Sequence, residues 1–384
     1  MLRVRAGYKM RTTMAIGRRS ERDGAGARAD AHELADERAQ ARLIGCSLDA
    51  VQLARRCELI DLHVDTFIPY RMWGYDPLIR HRGGPFGRHF FGHLDVPRML
   101  DGGLDGAMWS ITTNPLRTAR ARWGALRRNL ARLRDVIARS AGRMIEVRSV
   151  EEYRAARAGG AHGCFLAIQG LNAVQGAPAG VRSLPDGVVR ATLVHLTNAV
   201  YGATSSPLGI GRRDKGLTAA GREAVAELNT RRVFVDLAHI HERAFFDVAA
   251  VHDPAQPLLV SHTGVAGVRA HWRNLTDAQI RAVAQTGGTV GIIFHGTFLR
   301  RRGQPADAGM VAEHIAHVMR IAGEDFVSIG SDFDGAITPF RDLAGADRYP
   351  RLVQVLLERG VSDRQIEKIL GANFLRALAL LRPG

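Results

Sequence analysis

"LTAAGREAVAELNTRRVFVDLAH" (217–239) holds two kinds of residue spacing in one stretch. Its first sixteen residues place apolar positions at helical intervals, and a double Arg closes them. The next seven form a short apolar run of the kind found in a strand buried on both faces. A helix that feeds directly into such a strand is half of a βαβ unit, and repeated units of this kind imply a parallel sheet.

Seven further runs match the second half of that stretch. They are CELIDLHV (57–64), LDGAMWSI (104–111), AHGCFLAI (161–168), VVRATLVHL (188–196), PLLVSHT (257–263), TVGIIF (289–294) and FVSIGSDFD (326–334). TDAQIRAVAQTGG (276–288) is a second clear helix, with Thr276 as its N-cap and Gly287 as its stop. Eight strands without a Gly-rich dinucleotide fingerprint favour a closed (β/α)8 TIM barrel over an open doubly wound sheet. The barrel is expected over residues 31–384 as one domain, led by a single amphipathic helix over 31–56. Residues 66–97, rich in Gly, Pro, His and Arg, are too long for a plain βα loop and are expected over the active-site face.

The first 30 residues are basic, lack the apolar core of a secretory signal and have the composition of a disordered tail, within which Met10 and Met14 are alternative starts. The net charge is +15, but the cations are almost all Arg (the lysines are Lys9, Lys215 and Lys368) and read as spread along the helices. With no nucleic-acid motif, neither a nucleic-acid nor a membrane partner is expected. Three cysteines, Cys46, Cys57 and Cys164, form no C-x-x-C pair and no even framework. A reducing, cytoplasmic setting fits them.

A barrel carries its chemistry at the C-terminal ends of its strands. There the sequence puts His63 and Asp65, His195, His239, His262, and Asp332 with Asp334. One histidine in an apolar strand is ordinarily a hydrogen-bonded core residue. Four of them with at least two aspartates on five converging strands would bury many polar groups without partners, which is costly. A metal site accounts for them better, and imidazole with carboxylate suits Zn²⁺. Such a site hydrolyses through an activated water, with Asp332 as the carboxylate that moves the proton. Asp334 reads as the N-cap of a following turn.

These residues resemble the membrane (renal) dipeptidase family, peptidase family M19 of the amidohydrolase superfamily. The resemblance rests on DLHVD (61–65), GLTAAGREAVAELN (216–229), VFVDLAH (233–239), SHTGV (261–265), RNLTD (273–277), IGSDFDG (329–335) and ILGANFLR (369–376). It implies a TIM barrel with two zinc ions that cleaves dipeptides, including some with a D-residue on the C-terminal side, and a homodimer as assembly. It also implies His63 and Asp65 as ligands of one zinc, and His239 and His262 as ligands of the other. Asp332 would be the catalytic acid/base, Arg273 would bind the substrate carboxylate and His195 the substrate carbonyl.

Gln169 departs from that pattern, standing where the family places a Glu that bridges both ions. An amide offers one useful oxygen and no charge. One zinc or two therefore stays open, and the expectation is a hydrolase with a weakened or mononuclear site, Gln169 remaining among the metal residues. The alternative is a non-catalytic or altered-substrate member that keeps the pocket for binding.

Overall fold

A computed structural model describes residues 34–84, 87–211 and 213–383. The expected tail, residues 1–30, lies outside them. Among the described residues nine strands follow in chain order: β1 (Ile60–Val64), β2 (Gly106–Thr112), β3 (Met144–Glu146), β4 (His162–Gln169), β5 (Val188–Thr192), β6 (Phe234–Asp236), β7 (Leu259–Thr263), β8 (Thr289–Ile292) and β9 (Val327–Ile329). The pairs are parallel in the order β2-β1-β9-β8-β7-β6-β5-β4. β2 also meets β4 directly, from Gly106↔Gly163 to Thr112↔Gln169, so eight strands close into the expected barrel. β3 had no counterpart among the expected strands; it pairs only with the start of β4, outside the ring.

The helices form where the spacing placed them. Residues 219–230 are helical with Thr218 capping Gly221 N–H, and residues 277–285 begin with a complete capping box between Thr276 and Gln279. Gly287 sits just past that second helix at φ +76°. The leading segment differs from expectation, for it is two helices, residues 34–44 and Leu48–Arg56. Gly45 at φ +70° breaks the first, and the Ser47 hydroxyl, accepting from Ala50 N–H, starts the second.

The barrel interior is tiered. Toward the N-terminal ends of the strands, Leu62, Met108, Phe165, Phe234 and Leu259 form an apolar floor. Phe374, from the C-terminal helix Asn373–Leu381, packs edge-on against Phe165 with ring centroids 5.3 Å apart. Above the floor lies a polar tier of Ser110, Arg190, Thr192, Asp236 and Ser261, all essentially inaccessible to water. Arg190 therefore departs from the expectation that the arginines lie along helices. Above this tier the strands open onto the candidate site.

Two β-bulges re-aim side chains toward that site. The β1–β2 register shifts between Asp61 and Val64, and the β7–β8 register shifts between Val260 and Thr263. A bulge breaks the two-residue alternation, so Leu62 joins the floor while His63 turns to the barrel mouth, and consecutive Ser261 and His262 both face the interior. The β7 bulge leaves no room beside it: a Cβ on Gly291 or Gly330 would lie 2.1 or 1.9 Å from the Ser261 carbonyl oxygen. Glycine is required at both positions.

The segment after β1 leaves and returns beside the barrel mouth, where Asp334 holds both points; between them Asp76, Leu78 and Arg80 bond Arg139, Arg143 and Asp101, near the start of β3 and not over the site. The Asp334 carboxylate accepts from the Thr66 hydroxyl (2.6 Å) and from His93 N–H (2.9 Å), while Asp334 N–H donates to His93 Nδ1 (3.0 Å). Asp334 is thus a fully buried tie between two ends of a long loop, not the N-cap expected for it.

Candidate metal centre

Every site residue named from the sequence lies at the mouth of the barrel, but most lie beyond the strands proper. β5 stops at Thr192 before His195, β6 at Asp236 before His239, and β9 at Ile329 before Asp332. His239 (φ +66°) and Asp332 (φ +63°) take left-handed backbone conformations that a ladder residue cannot adopt. Non-Gly residues held there cost of order 1–3 kcal/mol each, and such positions gather at functional sites.

His239 and His262 meet tip to tip, Nε2 to Nε2 at 2.9 Å. The Gln169 amide nitrogen lies 3.3 Å from the first and 3.5 Å from the second, while its Oε1 is buried without a partner. The His262 tautomer can be deduced. Ser261 Oγ spends its one hydrogen on Asp236 Oδ2 (2.7 Å), so it accepts from His262 Nδ1–H (2.8 Å) and leaves the His262 Nε2 lone pair free. Burial, then the positive charges nearby, hold both rings well below the ordinary histidine pKa, so both are neutral at pH 7. A turn of the Gln169 amide brings Oε1 to the same point. These donors fit a borderline divalent cation.

His63 faces the other side of this centre, its ring 3.9 Å from that of His262, centroid to centroid. Its Nε2 is buried without a hydrogen-bond partner, 3.4 Å from Asp65 Oδ2 and 3.6 Å from Asp332 Oδ1. His63, His262 and Asp332 offer ligand atoms within 4.8 Å of one another. Burial and the neighbouring Asp65 push the Asp332 carboxyl well above its usual range, with Arg273 opposing them. A carboxyl shifted upward by burial and a like charge in a cleft is a candidate functional group. Arg273 is nearly inaccessible, donates to the His262 carbonyl and keeps its Nε unpartnered. His195 packs edge-on against His239, ring centroids 4.7 Å apart, and burial pulls it down to about 4.

A sequence model of the membrane dipeptidases, peptidase family M19, matches residues 48–381. The chain belongs to the membrane dipeptidase family. It is a hydrolase of the metallo-dipeptidase type, as the resemblance implied. It is 33% identical over 263 residues to a Klebsiella pneumoniae protein encoded in the pqqA 5′ region, covering 65% of this chain and 93% of the relative. An uncharacterized dipeptidase of Schizosaccharomyces pombe is 32% identical over 214 residues, 55% of this chain and 51% of the relative. Among solved structures, the metallopeptidase dipeptidase AC of family M19 superposes with a TM-score of 0.74 at 29% identity, over 84% of this chain and 98% of its own. A Rhodobacter sphaeroides metallopeptidase, solved with a phosphinate mimic of L-Ala-D-Ala, gives 0.73 at 27%, over 85% and 99%.

The polar tier beneath the site escaped the sequence reading. Arg190 Nη1 lies 2.6 Å from Asp236 Oδ2, 2.7 Å from Ser261 Oγ and 3.0 Å from His63 Nδ1, and Nη2 bonds Ser110 Oγ at 2.9 Å. Burial alone would raise the Asp236 carboxyl, but Arg190, Thr192 and Ser261 outweigh it and hold the group below the usual range. The available signal was an arginine in the middle of one predicted buried strand and an aspartate in the next.

Proposed function

We propose that the protein is a zinc-dependent dipeptidase whose cation is held by His239, His262 and Gln169. The observation that carries this reading is the meeting of two neutral imidazole Nε2 atoms at 2.9 Å in a site that also holds a buried Asp332 carboxyl and a buried Arg273. A zinc ion there would lower the pKa of an attached water toward 7 and polarise the scissile carbonyl.

The chain's own residues supply the rest. Asp332 takes the proton of the attacking water and passes it to the leaving amine. Arg273 presents a fork of donors to the free C-terminal carboxylate of the substrate, which sets the scissile bond next to the C-terminal residue. His195 donates a hydrogen bond to the carbonyl oxygen under attack. Burial keeps it neutral, so it adds no charge beside the cation. The relative crystallised with an L-Ala-D-Ala mimic supports trying substrates with a D-residue on the C-terminal side. Three unpaired cysteines support a cytoplasmic setting.

The test measures zinc per chain in protein purified without chelators, together with hydrolysis of L-Ala-L-Ala and L-Ala-D-Ala. Bound zinc with turnover of either dipeptide is expected. Absence of both in zinc-supplemented buffer rejects the proposal, and stabilisation by dipeptide without turnover favours a binding protein on the same barrel.

A further inference from the structure

Four histidines surround the centre, but their second nitrogens are not in equivalent surroundings. A ligating imidazole needs a lone pair toward the metal, so its other nitrogen must carry the hydrogen and needs an acceptor. His262 has one in Ser261 Oγ. His239 Nδ1 has no hydrogen-bond partner among the described residues, whereas His63 Nδ1 meets a donor. Among the described residues, the one group within hydrogen-bond distance of its Nδ1 is Arg190 Nη1, at 3.0 Å.

A guanidinium has five hydrogens and no lone pair, and it does not give up its proton in a protein. An Nδ1–H on His63 would point at that cation and find nothing to accept it. The opposite tautomer suits the Nδ1 end, which then accepts from Arg190, and leaves Nε2–H without a hydrogen-bond partner, 3.4 and 3.6 Å from the carboxylates of Asp65 and Asp332. Arg190 cannot swing aside, because its Nη1 is also held by Asp236 and Ser261, its Nη2 by Ser110, and the side chain is fully buried. The same network thus frees the Nε2 lone pair of His262 and places a hydrogen on that of His63.

Gln169 points the same way independently. Two divalent ions a few Å apart repel strongly and need anionic ligands between them, whereas the side chain at the family's bridging position is here a neutral amide, beside His239 and His262. The Arg190 charge already stands on the His63 side.

We propose that this chain binds a single divalent cation, on His239, His262 and the Gln169 amide oxygen, and that Arg190 withholds His63 from the metal by fixing its tautomer. His63 then acts as a positioning residue whose ring packs beside His262, Asp65 and Asp332. Arg190 supplies the fixed positive charge that a second ion would otherwise bring. This inference rests on the metallo-hydrolase reading above and goes beyond it in assigning the halves of the site different tasks.

Zinc content and affinity test it, with turnover not required. Wild-type protein dialysed against excess zinc and then desalted is expected to keep one ion per chain. His63→Gln is expected to keep that ion with Kd within about three-fold, whereas His262→Ala loses it. Gln169→Glu alone should stay at one ion, and Gln169→Glu with Arg190→Met should bind two. In ¹⁵N-histidine spectra, the signals lost in His63→Gln should be those of a ring protonated on Nε2. Two ions on the wild type, a weakening beyond thirty-fold in His63→Gln, or a ring protonated on Nδ1 would each overturn the inference. The spectra need only folded His63→Gln, so the test survives if Arg190→Met fails to fold. Wild type with no zinc would sink the metallo-hydrolase reading itself and this inference with it.

Discussion

Removing the Asp236 carboxylate should destabilise the protein more than any loss of a surface charge. Its Oδ2 accepts from Arg190 (2.6 Å), Thr192 (2.6 Å) and Ser261 (2.7 Å), and its Oδ1 from Ser261 N–H (2.9 Å) and Ala238 N–H (3.1 Å). Asp236→Ala leaves a fully buried guanidinium without its counter-charge, a defect that costs about 3–5 kcal/mol. The stranded Ser261 and Ala238 N–H groups, at roughly 1–3 kcal/mol for each buried polar group left unsatisfied, put the expected loss near the top of that range. Asp236→Asn keeps part of the hydrogen bonding but not the charge and should fall near ~3 kcal/mol. A domain is stable by only about 5–15 kcal/mol, so the losses are easily read. The assay is urea unfolding in chelator, since bound metal would add its own linkage to the native state. Arg190→Met with Asp236→Leu should cost clearly less than the sum of the single changes, because it removes both charges together. A loss below about 1 kcal/mol for Asp236→Ala, or strict additivity in the double variant, would show that the pair is not the desolvated unit described here.

Asp332→Asn should lower kcat by about 10²–10⁴ while leaving bound zinc unchanged, since it removes a proton acceptor and no proposed ligand; loss of the zinc would instead make Asp332 a ligand. Arg273→Met should raise KM by roughly thirty-fold, about 2 kcal/mol, for dipeptides with a free C-terminal carboxylate but not for their amides. An equal effect on both classes removes Arg273 from carboxylate binding. His162 is buried, accepts from the Trp109 indole N–H (3.0 Å) and is pulled by burial down to about 4. The unfolded chain takes up that proton near pH 6.5 and the native chain only near 4, so stability is full above 6.5 and falls as pH drops through this window, by about 3 kcal/mol in all. His162→Asn should flatten the slope of unfolding free energy between pH 6.5 and 4.5 by about one proton, and an unchanged slope would contradict the burial argument.

The eight barrel strands were legible because a parallel strand covered on both faces reads as an unbroken apolar run. β3 was not legible: in Met144–Glu146 only the first residue is buried, so three residues carry neither an apolar run nor a countable alternation. The leading helices looked continuous because Gly45 at φ +70° interrupts a pattern whose apolar spacing persists on both sides. The residues of the candidate centre were found because strand ends converge in any barrel. Their exact placement was not, since positive φ at His239 and Asp332 and the bulges in β1 and β7 leave no mark on a two-residue period. Arg190 and Asp236 were passed over although each interrupts an apolar run. Charge counted along the whole chain hid the cation that lies buried among the barrel strands.

The Asp334 tie has a consequence for how such a protein changes over evolutionary time. Thr66 and His93 are clamped to one buried carboxylate, so the chain between them is a loop whose two ends are fixed. Doubling the length of a flexible loop costs only about 0.6 kcal/mol when its ends are already fixed. Tyr75 and Leu78 within that loop are buried, and Tyr75 and Pro77 bond Leu94 and Val96. Change in length or charge is therefore expected at exposed positions such as Ile79, His89 and Phe90, while the chemistry at the barrel mouth keeps its footing.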